Sequence, residues 1–307
     1  MQLNNKRILV TGGAGFIGSN LANNLATEND VVVVDDGYLG TPENLDDTVE
    51  FHETSVLDDD LPTDVDVVFH LAALSSYAMH EENPTKGARV NVEGFVNTVE
   101  QARDDGCETV VYASTSSIYG SRTEPSPVEM DVAVNTGYEA PKLARERYAE
   151  YFANHYDMNM AGMRFFSVYQ GYGGSEAHKG EFANVIAQFA DDLAKGERPV
   201  LFGDGSQTRD FTHVDDIVRG LVLAAENELT GVYNLGTGTA VSFNELVEML
   251  NAELGTDIEP DYIENPIPDE VYVHDTMADS SKMYEATGWE PQLSLENGLS
   301  RVCEQYQ

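Results

Sequence analysis

Basic residues are scarce in this 307-residue chain, where 17 lysines and arginines stand against 54 aspartates and glutamates, a formal net charge of −37 at pH 7. A surface so negative repels phosphodiester backbones and anionic lipid, so neither nucleic acid nor a membrane surface is an expected partner. Cysteine is nearly absent too. Cys107 and Cys303 are too few for a disulfide framework, and a reducing compartment is the simpler expectation. No apolar run approaches the roughly 20 residues that span a bilayer, and the opening MQLNNKRILV has no signal-peptide core. A cytoplasmic protein without a metal site is expected.

The acidic excess does not imply disorder. Hydrophobic residues make up 41% of the chain and 26 glycines accompany them, the apolar share of a folded protein. The acids are dispersed, with DDD at 58–60 among the longest runs, so there is no acidic tail. At about 1 M salt the screening length falls to about 3 Å, and self-repulsion of this size becomes tolerable. A halophilic cytoplasm is therefore expected.

Short apolar runs alternate with helical stretches through the first half of the chain. RILVT at 7–11, VVVVDD at 31–36, DVVFHLA at 66–72, TVVYAS at 109–114 and MAGMRFF at 160–166 predict strands, with helices near 16–27, 85–105 and 138–156. Near-continuous apolar strands separated by helices predict a parallel sheet covered on both faces. After residue 166 the texture changes to a glycine-rich loop, a helix near 182–195, a strand in PVLFG and a Pro/Asp-rich segment, IEPDYIENPIPDE.

TGGAGFIGSN at 11–20 spaces Gly12, Gly15 and Gly18 three apart, directly after the first strand. Alone, such spacing marks a tight strand-to-helix turn. With a strand before it and Asp35 about twenty residues on, it reads as a dinucleotide fingerprint in which Asp35 accepts from ribose hydroxyls. No arginine follows Asp35 immediately, which favours NAD over NADP. YASTSSIYG at 112–120 puts hydroxyls at a strand end. NTGYEAPKLARERY at 135–148 sets Tyr138 one helical turn before Lys142, on the same face. An ammonium there would favour the phenolate and lower its pKa, although the pair alone also suits an ordinary amphipathic helix. Thr136 and Glu139 form a T-x-x-E capping box that starts a helix near 137, in which Pro141 would clash with a carbonyl one turn back.

In this order, the four features resemble the extended short-chain dehydrogenase/reductase family, specifically its NAD-dependent nucleotide-sugar epimerases and dehydratases, along almost the whole chain. The resemblance implies a Rossmann-type doubly wound parallel sheet over residues 1–166, with 208–236 interleaved, and a smaller α/β substrate-binding lobe formed mainly by 167–307. It implies NAD held by Gly12, Gly15, Phe16, Ile17, Gly18, Asp35, Val56, Leu71, Ala72, Ala73, Tyr138 and Lys142. Tyr138 falls on the family's catalytic base, Lys142 on the lysine that supports it and bonds the nicotinamide ribose, and Thr115 on the hydroxyl that holds the sugar oxygen. Ser167, Asn184, Phe202 and Arg209 fall on positions that touch a UDP-sugar, Arg209 on its diphosphate. A homodimer through the helices near 85–105 and 138–156 is also implied.

The chain departs from the family at Pro141, where a small or hydroxyl residue is usual, and in four further places. Ser116 and Ser117 stand where dehydratases carry Asp-Glu or a single Glu, Ser167 where epimerases carry asparagine, and Ser55 where an aspartate meets adenine. No lysine or arginine occurs between Arg219 and Lys282, where a second diphosphate-binding arginine is usual. A hydroxyl cannot replace a carboxylate in acid/base work near neutral pH, so Ser116 and Ser117 point to a UDP-sugar 4-epimerase. A cofactor-releasing reductase or dehydrogenase of the same fold, a 4,6-dehydratase and a non-catalytic NAD-sensing protein are the other readings. From the charge alone, the melting temperature should rise between low and molar salt; a chain more stable in low salt would contradict the halophilic expectation.

Overall fold

Val31, Val32, Val33 and Val34 are each 1% exposed or less, a burial that a strand reaches when both faces of its sheet are covered. In the computed structural model, which spans residues 1–307, they lie in β2 (Asp30–Asp35), beside β1 (Arg7–Thr11). With β3 (Glu50–Glu53), β4 (Val67–His70), β5 (Thr109–Ala113), β6 (Asn159–Phe165) and β7 (Gly231–Leu235) they form a seven-stranded sheet of order β7-β6-β5-β4-β1-β2-β3. Every pairing in it is parallel. The order reverses between β1 and β4, the place where open parallel sheets leave a crevice at their carboxyl ends.

The five strands expected from the apolar runs all form. Two more join them. EFHE of β3 is polar and lies at the sheet edge, so no apolar run marks it. GVYNL of β7 lies far along the chain and pairs with β6 from Gly231↔Ala161 to Leu235↔Phe165.

Helices α1 (Phe16–Leu25), α2 (Gly94–Asp104) and α3 (Glu139–Tyr156) flank the sheet, and α4 (Val185–Lys195), α5 (Val214–Glu226), α6 (Phe243–Leu254) and α7 (Leu295–Cys303) follow β6. One face is packed by Leu21 and Leu25 of α1, Ile217 and Leu221 of α5, and Trp289. The other is packed by Phe95 and Val99 of α2 with Ala149 and Phe152 of α3. A third core, including Ile186, Leu193, Leu246, Leu250 and Leu299, joins α4, α6 and α7. Burying each Leu, Ile or Phe of this kind contributes roughly 1.5–3 kcal/mol. No helix is long and apolar enough to cross a membrane.

The single helix expected near 85–105 is broken. Short helices at Tyr77–Glu82 and Pro84–Ala88 and a π-turn at Arg89–Glu93 precede α2. Asn83 breaks the first junction, its side chain accepting from Lys86 N at 3.0 Å while Pro84 opens the next turn. In the π-turn, buried Asn91 uses its amide to bond both backbone groups of Leu74. The start of α3 resolves the proline conflict. Thr136 Oγ1 accepts from Glu139 N, and the Glu139 carboxylate accepts from the N–H groups of Asn135 and Thr136. The helix begins at Glu139, so Pro141 sits in its first turn, where no N–H needs a partner.

Below the carboxyl edge of the sheet lies a buried ion pair. Arg164 of β6 grips Glu146 of α3 through two bonds of 2.9 and 2.7 Å, and Ser114, just past β5, donates to the same carboxylate at 2.6 Å. Arg164 also donates to Tyr119 Oη, which donates to Asn234 of β7. The ends of β5, β6 and β7 are thus held in one network beneath the crevice.

Candidate active site

A cavity of about 520 Å³ opens at the carboxyl ends of the strands, over the β1/β4 reversal. Fifteen residues expected from the sequence line it: Gly12, Gly15, Phe16, Ile17, Gly18, Asp35, Val56, Leu71, Ala72, Ala73, Thr115, Tyr138, Lys142, Ser167 and Arg209. Asn184 and Phe202 do not. Asn184 caps α4, accepting from Ile186 N and donating to Val168 O. Phe202 pairs with Ile263 in a separate two-stranded ladder. At the expected adenine position, Thr54 and Val56 face the cavity while Ser55 turns its hydroxyl to Leu57 N.

The first half of the cavity has the chemistry of a dinucleotide site. Gly12 has φ +68°, and a Cβ there would stand 2.6 Å from Ala72 N. A Cβ on Gly18 would overlap the Gly12 carbonyl, so this glycine lets α1 close on the turn. Gly15 is the N-cap of α1 and offers no side-chain cap, which leaves first-turn N–H groups for an anion. The Asp35 carboxylate accepts from Ala14 N at 3.1 Å and Gly37 N at 2.9 Å. Burial raises its pKa, and those backbone bonds oppose the rise. A diphosphate at the helix end and a ribose diol at the carboxylate fit these groups.

The second half gathers hydroxyls and cations. Thr115 follows β5 and is 5% exposed, Tyr138 is the N-cap residue of α3, and Lys142 is 3% exposed. The Lys142 ammonium lies 5.9 Å from the centre of the Tyr138 ring and donates to Ala113 O at 3.3 Å. Burial holds the Tyr138 phenol above its usual range, against smaller lowering from the Thr115 hydroxyl and the charge of Arg145. Lys142 itself is held well below the usual lysine range, by burial first and by Arg145 second. Arg145 thus adds a second buried cation beside the Lys142 to which the sequence pointed.

Charge sorts this cavity from the rest of the molecule. Eleven of the lysines and arginines make an ion pair with a carboxylate, and Lys86, Arg122, Lys142, Arg145, Lys179 and Arg209 make none. Lys86, Lys142, Lys179 and Arg209 line the cavity. Of 54 acidic residues, only Asp35 and Asp36 do so, both at the end of β2. Arg209 is fixed by the carbonyls of Thr208, Val273 and His274 and keeps donors for a ligand. Ser167 holds φ +28° at the cavity wall, a backbone region that asparagine enters more readily than serine.

Lys86, Lys179 and Tyr38 were not foreseen. The Lys86 ammonium sits 3.3 Å above the Tyr38 ring, and Lys179 lies 5.5 Å from the Phe16 ring at the head of α1. A signal was available for the two lysines: each is a cation in a chain poor in them, Lys86 just after Pro84 and Lys179 in the glycine-rich stretch after residue 166.

A doubly wound sheet with a glycine turn, a ribose-facing carboxylate and a Thr-Tyr-Lys set defines a dinucleotide-dependent enzyme of sugar or alcohol chemistry. The chain matches the NAD dependent epimerase/dehydratase family over residues 8–236 and belongs to it. NAD is the cofactor of this family, and the glycine turn and Asp35 suit it. The UDP-glucose 4-epimerase of Mycolicibacterium smegmatis is 36% identical over 97% of both chains. UDP-glucuronic acid decarboxylase 6 of Arabidopsis thaliana is 30% identical over 98% of this chain and 89% of its own. The crystal structure of UDP-glucose 4-epimerase from Thermotoga maritima with UDP-glucose superposes with a TM-score of 0.87 at 33% identity, covering 98% of each chain.

Proposed function

We propose that the protein is an NAD-dependent UDP-sugar 4-epimerase. One observation carries the choice within the family: no carboxylate lines the cavity near Thr115 and Tyr138, where Ser116 and Ser117 stand instead. Elimination of water across C5 and C6 needs an acid/base group at that place. Moving hydride at C4 needs only a base for one hydroxyl and room for the 4-keto sugar to turn.

In this reading Tyr138 takes the proton of the C4 hydroxyl while Thr115 holds the oxygen as it becomes a carbonyl. Held at the glycine turn and Asp35, NAD would supply the hydride acceptor and donor for that carbon. Lys142 binds the nicotinamide ribose. Arg209, braced by three backbone carbonyls, meets the UDP diphosphate, and Lys179 adds a cation at the α1 end of the same cavity. We assign the dimer interface to α2 and α3, where Tyr148 and Tyr151 present exposed rings, and a halophilic cytoplasm to a chain of this charge.

Incubated with UDP-glucose and no added cofactor in deuterated solvent, the protein should form UDP-galactose, with no 4-keto-6-deoxy product and no deuterium at C5. Deuterium at C5 would contradict the epimerase reading, and net NADH turnover would favour the reductase. Arg209→Ala should weaken UDP-sugar binding by about 2–4 kcal/mol, the loss expected of a desolvated charged hydrogen bond, and leave NAD affinity nearly unchanged. Calorimetric titration of both ligands checks this; equal losses would mean general damage.

A further inference from the structure

Arg145 has no solvent exposure and no carboxylate partner. It lies seven residues after Tyr138 and three after Lys142, so all three side chains share one stripe of α3. Its guanidinium bonds only to backbone oxygens: Nε to Asn91 O in the π-turn, Nη1 to Ala113 O at 3.4 Å and Nη2 to Ala72 O at 2.7 Å. Ala113 O also receives the Lys142 ammonium. Ala72 and Ala113 both line the cavity, so Arg145 lies directly behind its wall.

Carbonyls satisfy the hydrogen bonds of a buried guanidinium but do not neutralise it, and a buried cation without a counter-charge is costly. The groups around Arg145 and Tyr138 offer no standing anion. From β4, His70 is fully buried and kept neutral by burial and by the two cations. From the short helix before the π-turn, the His80 ring lies 5.6 Å from the Tyr138 ring, and burial lowers its pKa as well. From β5, the buried Tyr112 phenol is pushed far up. On α3 itself, the Glu139 carboxylate is turned back to the N–H groups of Asn135 and Thr136, and Glu146 is taken by Arg164. The one acid that can supply the missing charge by losing its proton is Tyr138.

We propose that Arg145 is a positioning residue for the reaction above, a fixed buried charge behind Lys142 that adds to the stabilisation of the Tyr138 phenolate. The role rests on Tyr138 being the base. Burial lowers the Arg145 guanidinium to about 9, which still leaves it protonated near neutral pH.

Two variants separate charge from scaffold. Arg145→Gln keeps a donor and removes the charge; Arg145→Lys keeps the charge and loses the fork. The Tyr138 phenol is titrated by the ultraviolet difference between each chain and its Tyr138→Phe counterpart, which needs no substrate, and the acid limb of kcat is recorded beside it. Arg145→Gln should raise the phenol pKa by about one unit or more, the shift expected on losing a nearby opposite charge. Arg145→Lys should leave it within about 0.3 units even where the melting temperature falls. A phenol unmoved in Arg145→Gln overturns the proposal. Should that chain fail to fold, Arg145→Lys decides: a phenol displaced by a unit or more overturns it, and an unmoved one supports it. A phenol that shifts while the acid limb of kcat does not would remove Tyr138 as the base, a failure of the epimerase reading and not of this electrostatic coupling.

Discussion

A lysine or arginine in a chain of net charge −37 finds a carboxylate unless the fold prevents it, and the fold prevents it chiefly around one cavity. Arg145 and Arg209 are held there by backbone carbonyls, three for each. Carbonyls orient a guanidinium and leave its charge uncancelled. In a low-dielectric crevice that charge acts over several ångströms with little screening. The cavity is thereby suited to anions, the diphosphates of a dinucleotide and a nucleotide sugar, inside a surface that repels other polyanions.

The sheet decides where this can happen. Parallel strands bring their carboxyl ends to one edge, and the reversal between β1 and β4 opens the space above it. The Glu146–Arg164 pair, with Ser114, Tyr119 and Asn234, ties three of those ends together. Burying such a pair does little for net stability, but it holds β5 and α3 in register, and these elements carry Thr115, Tyr138 and Lys142. Ser116 and Ser117 follow on the same loop and supply no carboxylate, so the same scaffold is turned from elimination toward hydride return.

What was legible in the sequence was what local pattern carries. The glycine turn, Asp35 and the Tyr138–Lys142 turn each lie within one strand-to-helix unit or one helical turn, and all came together at the cavity. β3 was hidden because a polar edge strand has no apolar run, and β7 because its partner is some seventy residues away. Asn184 and Phe202 were placed by family position and are absent from the cavity lining; one caps a helix and the other sits in a strand ladder. Arg145 was quoted within the helix and passed over, because nothing local reveals that its partners are carbonyls at Ala72, Asn91 and Ala113.

The central claim is that hydride leaves and returns to one carbon within a closed site while only a phenol handles the proton. UDP-glucose carrying deuterium at C4 tests it most directly. The account predicts UDP-galactose with the label still at C4 and none lost to solvent or to released cofactor. Loss of the label from C4, or its appearance at another sugar carbon, would contradict it.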